Sequence, residues 1–241
     1  MRRVAALALA VLPLLACSGE QGERAQQLLT RAQAAQARLT SATYEARMTV
    51  SMDGQRFGLV MNGGAYLKGR RAGDQVLRMS AEGIPGVGAM NMQMVVRSRV
   101  ATMSLNGRRF TMPLPASTKQ QYDWSSTMLD LARYVKRVKV REGRVVNGER
   151  GATISGVIDT EGLLKAVSKL ETFSQAAGPA APDVGDLAEH LGDIRAAVFV
   201  ARRTGLIRSA VISLGVDADG KKADIEFTYR LSSTNKAVAG L

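Results

Sequence analysis

The sequence predicts an α+β fold: a single strongly curved antiparallel β-sheet, a half-barrel of about 10–11 strands, with helices covering its concave apolar face. Many short runs alternate apolar and polar residues with a period of two, the spacing of strands that bury one face. Asp-Gly or Asn-Gly pairs separate several of these runs, and such pairs favour two-residue hairpin turns. Helical periodicity is confined to the start of the chain and to two inserts.

The N-terminus has the layout of a bacterial lipoprotein signal peptide. Arg2 and Arg3 precede an apolar run of twelve residues, and Ala16 separates that run from Cys17, the only cysteine. The run is shorter than the roughly 18–20 residues that span a bilayer. We therefore predict a signal peptide over 1–16 and lipid attachment at Cys17. An ordinary cleaved signal and a retained membrane helix are the alternatives.

This N-terminus also predicts where the protein resides and which partners it meets. We expect an extracytoplasmic protein held by its lipid in the outer leaflet of the cell membrane, or in the outer membrane if the source is a diderm. With Cys17 lipidated, no thiol remains for a disulfide or a metal site.

Past a tether over 17–23, one domain is predicted over 24–231, followed by a flexible polar tail over 232–241. The domain opens with a helix over 24–39. Two more helices are predicted over 122–135 and 159–173. Strands are predicted over 44–52, 56–62, 65–68, 75–82, 90–97, 100–105, 108–112, 137–146, 152–158, 194–202, 206–216 and 223–231.

Methionines and other apolar residues dominate one face of the predicted strands. The candidates to line a cavity are Met48, Val50, Met52, Leu77, Met79, Met92, Met94, Val96, Phe227 and Tyr229. Methionine is flexible and adapts to variable apolar partners. The face is therefore either an ordinary closed core or a deformable lining for acyl chains.

The formal charge of +12 is scattered along the chain rather than concentrated in runs. Nucleic-acid binding is not expected, because the chain has only five Phe, five Tyr and one Trp to interleave with the basic residues. On an exported protein the basic surface is either simply solvated or meets anionic lipid headgroups or wall polymers.

Little in the sequence supports catalysis. His190 is the only histidine, so any Ser-His-Asp site must use it, and a surface histidine is the simpler reading. The stretch from Asp217 to Gly220 resembles the start of a calcium loop, but Glu226 falls two residues short of the twelfth position. We predict no enzyme activity, no metal and no cofactor.

Several short motifs resemble the LolA/LppX-like superfamily, in particular actinobacterial lipoproteins of the LppX–LprG type, over about Leu28 to Leu231. The motifs are the helix running into Thr40-Ser41-Ala42-Thr43-Tyr44, the hairpin Asn106-Gly107-Arg108-Arg109-Phe110, Val146-Asn147-Gly148 leading to Ala152-Thr153-Ile154-Ser155-Gly156, and Val198-Phe199-Val200 followed by Thr204-Gly205-Leu206 and Ala210-Val211-Ile212. The resemblance implies a half-barrel closed by helices around an apolar cavity, without catalytic residues.

Two functions follow as expectations. The resemblance implies a lipoprotein that binds acyl chains of lipids, glycolipids or lipoproteins in that cavity, for transfer or chaperoning in the cell envelope, together with an envelope transport partner. The alternative is a non-catalytic envelope protein with a filled core, whose basic surface binds a partner or an anionic wall polymer.

Overall fold

The computed structural model describes residues 19–83, 90–113, 135–159, 192–218 and 221–241. Within these residues there is one helix, α1, which spans Glu20–Gln36. Among the described residues no helix is long and apolar enough to cross a bilayer. The strands are β1 Ser41–Met52, β2 Gln55–Tyr66, β3 Gln75–Glu82, β4 Met90–Arg97, β5 Val100–Leu105, β6 Arg108–Pro113, β7 Val135–Val146, β8 Glu149–Ile158, β9 Ile194–Ala201, β10 Ile207–Ala218 and β11 Lys221–Thr234.

All eleven strands form one open antiparallel sheet in the order β6-β5-β4-β3-β2-β1-β11-β10-β9-β8-β7. Every pair of neighbouring strands is consecutive in the chain except β1 and β11, and the consecutive strands β6 and β7 form the two opposite edges of the sheet. The predicted single antiparallel sheet is confirmed. The predicted helices over 122–135 and 159–173 lie outside the described residues apart from their boundary residues, of which Val135 begins β7.

The predicted two-residue hairpin turns join the strands as expected. Asn106 and Gly107 have φ values of 46° and 85°, and Asn147 and Gly148 have 51° and 75°. Two successive positive φ values are the signature of a type I′ turn, whose twist matches that of the flanking strands. These turns therefore fix the register of β5 with β6 and of β7 with β8.

Two predicted strands, 56–62 and 65–68, are one continuous strand, β2. Gly63 and Gly64 separate them in the sequence, where they suggest a break. In the structure the Tyr44 ring lies across Gly63, and Val238 packs against Gly64. The glycines provide room for side chains that pass over the strand, so the strand does not end there.

In the structure, the first helix begins earlier and the last strand ends later than the predicted domain boundaries. Helix α1 begins at Glu20, a full turn before the predicted start. The negative side chains of Glu20 and Glu23 stabilise this first turn, because the N-terminal end of the helix dipole is positive. At the other end β11 continues to Thr234, beyond the predicted boundary at 231. Residues 235–241 then lie against the sheet, where Val238 is buried and the Gly240 carbonyl accepts a bond from Arg97.

The larger hydrophobic core lies between α1 and the sheet. Ala25 and Ala32 of α1 pack with Ile154, Val200 and Ile207 on β8, β9 and β10. The start of α1 is held at β7, where Arg24 forms an ion pair with Glu142 at 2.8 Å. The helix therefore covers one end of the sheet.

Candidate functional site

Cross-strand pairing gathers apolar side chains onto one face of the sheet, which we call the apolar face. Residues directly opposite each other on adjacent strands point to the same side. One row crosses from β8 to β5 without a polar residue: Ile154, Val198, Ala210, Tyr229, Ala46, Met61, Met79, Met92 and Leu105. A second row lies beside it: Ala196, Ile212, Phe227, Met48, Leu59, Ala81 and Met90.

All ten cavity candidates from the sequence lie on the apolar face, from Met48 on β1 to Tyr229 on β11. Tyr229 and Val96 are only 2% and 3% exposed, so they belong to the packed interior. Met52 at the end of β1 is 37% exposed. The other seven candidates are half-buried, which leaves part of each side chain available for contact.

Methionines lie side by side in the half of the apolar face formed by β2 to β5. Met61, Met79 and Met92 occupy successive strands in one row. In the adjacent row Met94 of β4 lies opposite Met103 of β5. This block is the most adaptable part of the face, because thioether side chains fill irregular space at low cost.

Leu59, Met61 and Met103 are among the members of this face that the sequence did not predict as candidates. The turn residues were sufficient to find them. The Asp53-Gly54 turn places Met52 opposite Gln55, so Met48 must lie opposite Leu59 and Ala46 opposite Met61. Met103 shares a face with Leu105 and Ala101, as the alternation of a strand requires.

Beneath α1 the apolar face is closely packed. A cleft of about 20 Å³ remains there, lined by apolar residues that include Ala25, Leu29, Ile154 and Val198. Ligand pockets for small molecules are usually about 300–1,000 Å³. This end of the sheet is therefore a filled core.

Next to this core, Tyr44 and Tyr229 lie side by side on the apolar face, and we call them the tyrosine pair. The ring centroids of Tyr44 and Tyr229 are 6.1 Å apart, with their planes tilted by 31°. Tyr44 reaches this position by lying over Gly63: a Cβ there would be 2.4 Å from the Tyr44 ring. Because β1 and β11 lie between β10 and β2, the tyrosine pair lies between the packed region under α1 and the methionines of β2 to β5.

Gln36 is a polar exception on the buried side of α1. It shares that side with Ala25 and Ala32 and is 8% exposed. Neither Nε2 nor Oε1 of its amide has a hydrogen-bond partner among the described residues. A buried amide without partners costs free energy, so we expect an apolar residue at this position to stabilise the fold.

The opposite face, which we call the polar face, carries mixed charge. A groove of about 530 Å³ crosses it, lined by Arg56, Arg195, Asp193, Asp224 and Glu226 among others. No three potential metal ligands come together among the described residues. His190 lies outside those residues, so catalysis through this side chain stays without structural support.

At the α1 end of the sheet, Glu149, Thr204 and Arg208 form a hydrogen-bonded cluster that links the β7–β8 turn to the β9–β10 turn. Glu149 accepts hydrogen bonds from Arg208, at 2.5 Å, and from Thr204, at 3.1 Å. The bond and charge of Arg208 hold the pKa of the Glu149 carboxyl below its usual range, against the opposing effect of burial. The cluster is structural, since it lies away from the methionine region.

No protein-family model matches the chain, and no curated protein matches it. Among solved structures, LprF from Mycobacterium bovis has a TM-score of 0.51 and 16% identity, with 90% of this chain and 95% of that chain covered. The lipoprotein LppX from Mycobacterium tuberculosis has a TM-score of 0.48 and 13% identity, covering 88% and 97%. A LolA superfamily protein from Nitrosomonas europaea has a TM-score of 0.20 and 7% identity, covering 87% and 94%.

The likeness to LprF extends over nearly the whole of both chains, so it concerns the complete sheet and not one hairpin. At this identity it establishes the fold. The chain therefore shares the fold of LprF, in line with the predicted resemblance at the level of fold.

Proposed function

We propose that this protein is an exported lipoprotein, lipidated at Cys17, that binds acyl chains against the apolar face of its sheet. The acyl chains belong to lipids, glycolipids or lipoproteins that move through the cell envelope. The protein stays in the outer leaflet of the membrane that carries its anchor and exchanges its cargo with an envelope partner.

The observation that carries this proposal is the uninterrupted apolar row from Ile154 to Leu105. An acyl chain requires many interchangeable apolar contacts, and each CH₂ removed from water contributes about 0.8 kcal/mol. The half-buried side chains of Met48, Met79, Met92 and Met94 offer such contacts without a fixed shape.

The cleft beneath α1 favours a second candidate function. With a volume of about 20 Å³ it holds no acyl chain. If the methionine half of the face is packed in the same way, the core is filled, and the protein is a non-catalytic envelope protein whose basic surface binds a partner or a wall polymer. The two candidates differ in one measurable property, the uptake of lipid.

The test uses the chain from residue 17 with Cys17→Ser, which contains every described residue. The protein is purified without detergent, and bound lipid is sought by mass spectrometry after extraction. In parallel, a fatty acid with a fluorescent label is titrated into the protein. Copurified lipid together with saturable binding supports the carrier. A protein that carries no copurified lipid and does not bind the fluorescent fatty acid would falsify the carrier function and leave the second candidate.

A matched pair of variants locates the binding surface. Met79→Gln with Met92→Gln changes two facing residues of the apolar face. Ser80→Gln with Asn91→Gln changes their facing neighbours on the polar face of the same strands. We expect the first variant to bind the probe about thirtyfold more weakly or worse, since each of its two inserted amides costs about 1–2 kcal/mol, and the second variant to bind it unchanged. Equal affinities would place the ligand elsewhere.

The anchor has its own test in cells. Radiolabelled palmitate should enter the wild-type protein and not the Cys17→Ser variant, and only the wild type should sediment with membranes. A labelled Cys17→Ser protein would contradict lipidation at this residue.

A further inference from the structure

Strand β7 at the open edge of the sheet carries a row of four basic side chains, which we call the cationic row: Lys136, Lys139, Arg141 and Arg144. Regular alternation would divide them between the two faces. Their partners on β8 are Val157, Ser155, Thr153 and Gly151 respectively. These partners are every second residue of β8, so all four basic side chains point to the polar face.

Two irregularities of β7 produce this alignment. The register shifts between Lys136 and Lys139, and again between Glu142 and Arg144. At these points Arg137 and Gly143 have positive φ values of 52° and 85°. Each shift adds one residue to β7 and so brings the next basic side chain back to the same side.

Of the carboxylates near the cationic row in the described part of the chain, only Asp159 pairs with one of its members. Glu142 pairs with Arg24, and Glu149 pairs with Arg208. Asp159 pairs with Lys136 at 2.8 Å, at the end of the row. Within the described part of the chain, Lys139, Arg141 and Arg144 have no carboxylate partner, and all three are exposed.

The cationic row also lies next to the start of α1. The backbone N–H of Val140, between Lys139 and Arg141, donates to Gln21 Oε1 at 2.9 Å. Only three residues separate Gln21 from Cys17 in the sequence. Four residue steps span at most about 14 Å, so a lipid on Cys17 enters the membrane close to β7.

We propose that the cationic row docks this protein on the anionic phospholipid headgroups of the membrane that holds its anchor. The proposal rests on the lipidated Cys17 of the proposed function. Four to eight basic residues beside a membrane attachment point are the usual composition of a surface for anionic lipid. The alternative role of cations on an edge strand is to prevent edge-to-edge association of two sheets.

The test measures vesicle binding by the chain from residue 17 with Cys17→Ser, so that no lipid anchor contributes. Vesicles of phosphatidylcholine mixed with phosphatidylglycerol are compared with vesicles of phosphatidylcholine alone. We expect binding to the mixed vesicles only, weakened by added salt. Lys136→Gln, Lys139→Gln, Arg141→Gln and Arg144→Gln together should lower the partition coefficient roughly a hundredfold. The three cations without a carboxylate partner contribute about fivefold each, and Lys136, which pairs with Asp159, contributes little.

The control variant removes the same charge elsewhere, at exposed arginines outside β7: Arg47→Gln, Arg70→Gln, Arg108→Gln and Arg109→Gln. It should retain most of the binding. If the fourfold β7 variant does not fold, Lys139→Gln with Arg141→Gln should still lower the partition coefficient about 25-fold.

Three outcomes overturn the proposal. The first is equal loss in the β7 and control variants, which would indicate net charge alone. The second is self-association of the β7 variant with unchanged vesicle binding, which would indicate edge protection. The third is β7-dependent binding to an anionic wall polymer and none to vesicles. Fatty-acid uptake is measured on the same variants and should not change, so failure of docking and failure of the carrier function are distinguishable.

Discussion

Glu149 and Arg208 form an ion pair at 2.5 Å that links the start of β8 to β10, across the intervening strand β9. Their side chains are 17% and 12% exposed, far less than those of the Arg24–Glu142 pair at 48% and 44%. Thr204, between β9 and β10, completes the cluster by donating to the second oxygen of Glu149. The pair therefore holds the β7–β8 turn and the β9–β10 turn in a fixed relative position.

This pair predicts a pH-dependent contribution to stability. Because the pKa of Glu149 is lowered in the folded protein, mainly by the hydrogen bond from Arg208, the pair stabilises the fold above the unfolded pKa of about 4.3. That contribution is lost as the pH falls through the folded pKa. Glu149→Gln should cost about 1–3 kcal/mol at neutral pH and less in acid, as measured by urea unfolding across the pH range.

Glu142→Gln is the control for this prediction, because it removes an exposed ion pair on the neighbouring strand. It should change the free energy of unfolding by less than about 1 kcal/mol at any pH. A loss for Glu149→Gln that stays constant down to the lowest pH would contradict the assignment.

Gly63 should be sensitive to the addition of one methyl group. In Gly63→Ala the new Cβ would be 2.4 Å from the Tyr44 ring, so the ring must leave its position beside Tyr229. We expect a loss of about 1–3 kcal/mol in thermal or urea unfolding. Gly58→Ala on the same strand meets no atom within 4 Å and should be close to neutral or slightly stabilising. Equal effects of the two substitutions would show that Tyr44 does not occupy this place.

Replacing Gln36 should stabilise the protein. Gln36→Leu removes a buried amide that has no partner among the described residues and leaves an apolar side chain facing the core. We expect a gain of about 1–2 kcal/mol in the free energy of unfolding. Gln33→Leu, on the exposed side of the same helix, should stay within about 0.5 kcal/mol. A destabilised Gln36→Leu protein would mean that the amide has a partner, such as bound water.

The last residues of the chain should contribute to stability through Asn235. Its side-chain oxygen accepts bonds from the Thr40 backbone N–H at 2.8 Å and from the Thr40 hydroxyl at 3.0 Å, while its backbone N–H donates to the Ser41 carbonyl. Its φ of 56° is also one that asparagine adopts more readily than alanine. Asn235→Ala should cost about 1–2 kcal/mol and expose residues 235–241 to proteolysis. Lys236→Ala, an exposed neighbour, should change neither property.

The regular parts of this fold followed from the sequence because local chemistry determines them. Asp-Gly and Asn-Gly turns fix the register of a hairpin, and alternation then assigns every side chain to a face. For this reason the apolar face and its ten candidate residues could be predicted without a structure. No local signal specifies the pairing of β1 with β11, since no turn joins these two strands.

Other features depend on contacts that no local pattern encodes. Gly63-Gly64 resembles a break until Tyr44 and Val238 are seen to pack over the two residues. Likewise the basic residues of β7 form no regular spacing in the sequence, because the two register shifts that align them arise from pairing with β8. Val238 and Leu241 are the larger apolar residues of the segment 235–241, and they are the local sign that it packs against the sheet.

The pairing of β1 with β11 has a consequence for the order in which the sheet assembles. Every other ladder in the sheet joins strands that are consecutive in the chain, whereas Thr43 and Ser233 lie 190 residues apart. A chain that emerges N-terminus first can form the β1–β6 meander early. In that meander β1 is an unpaired edge strand until β11 is added beside it. Contacts of such long sequence separation form slowly. Completion of the molecule therefore waits for its C-terminus, and a chain interrupted before β11 leaves two half-sheets that no hydrogen-bonded ladder connects.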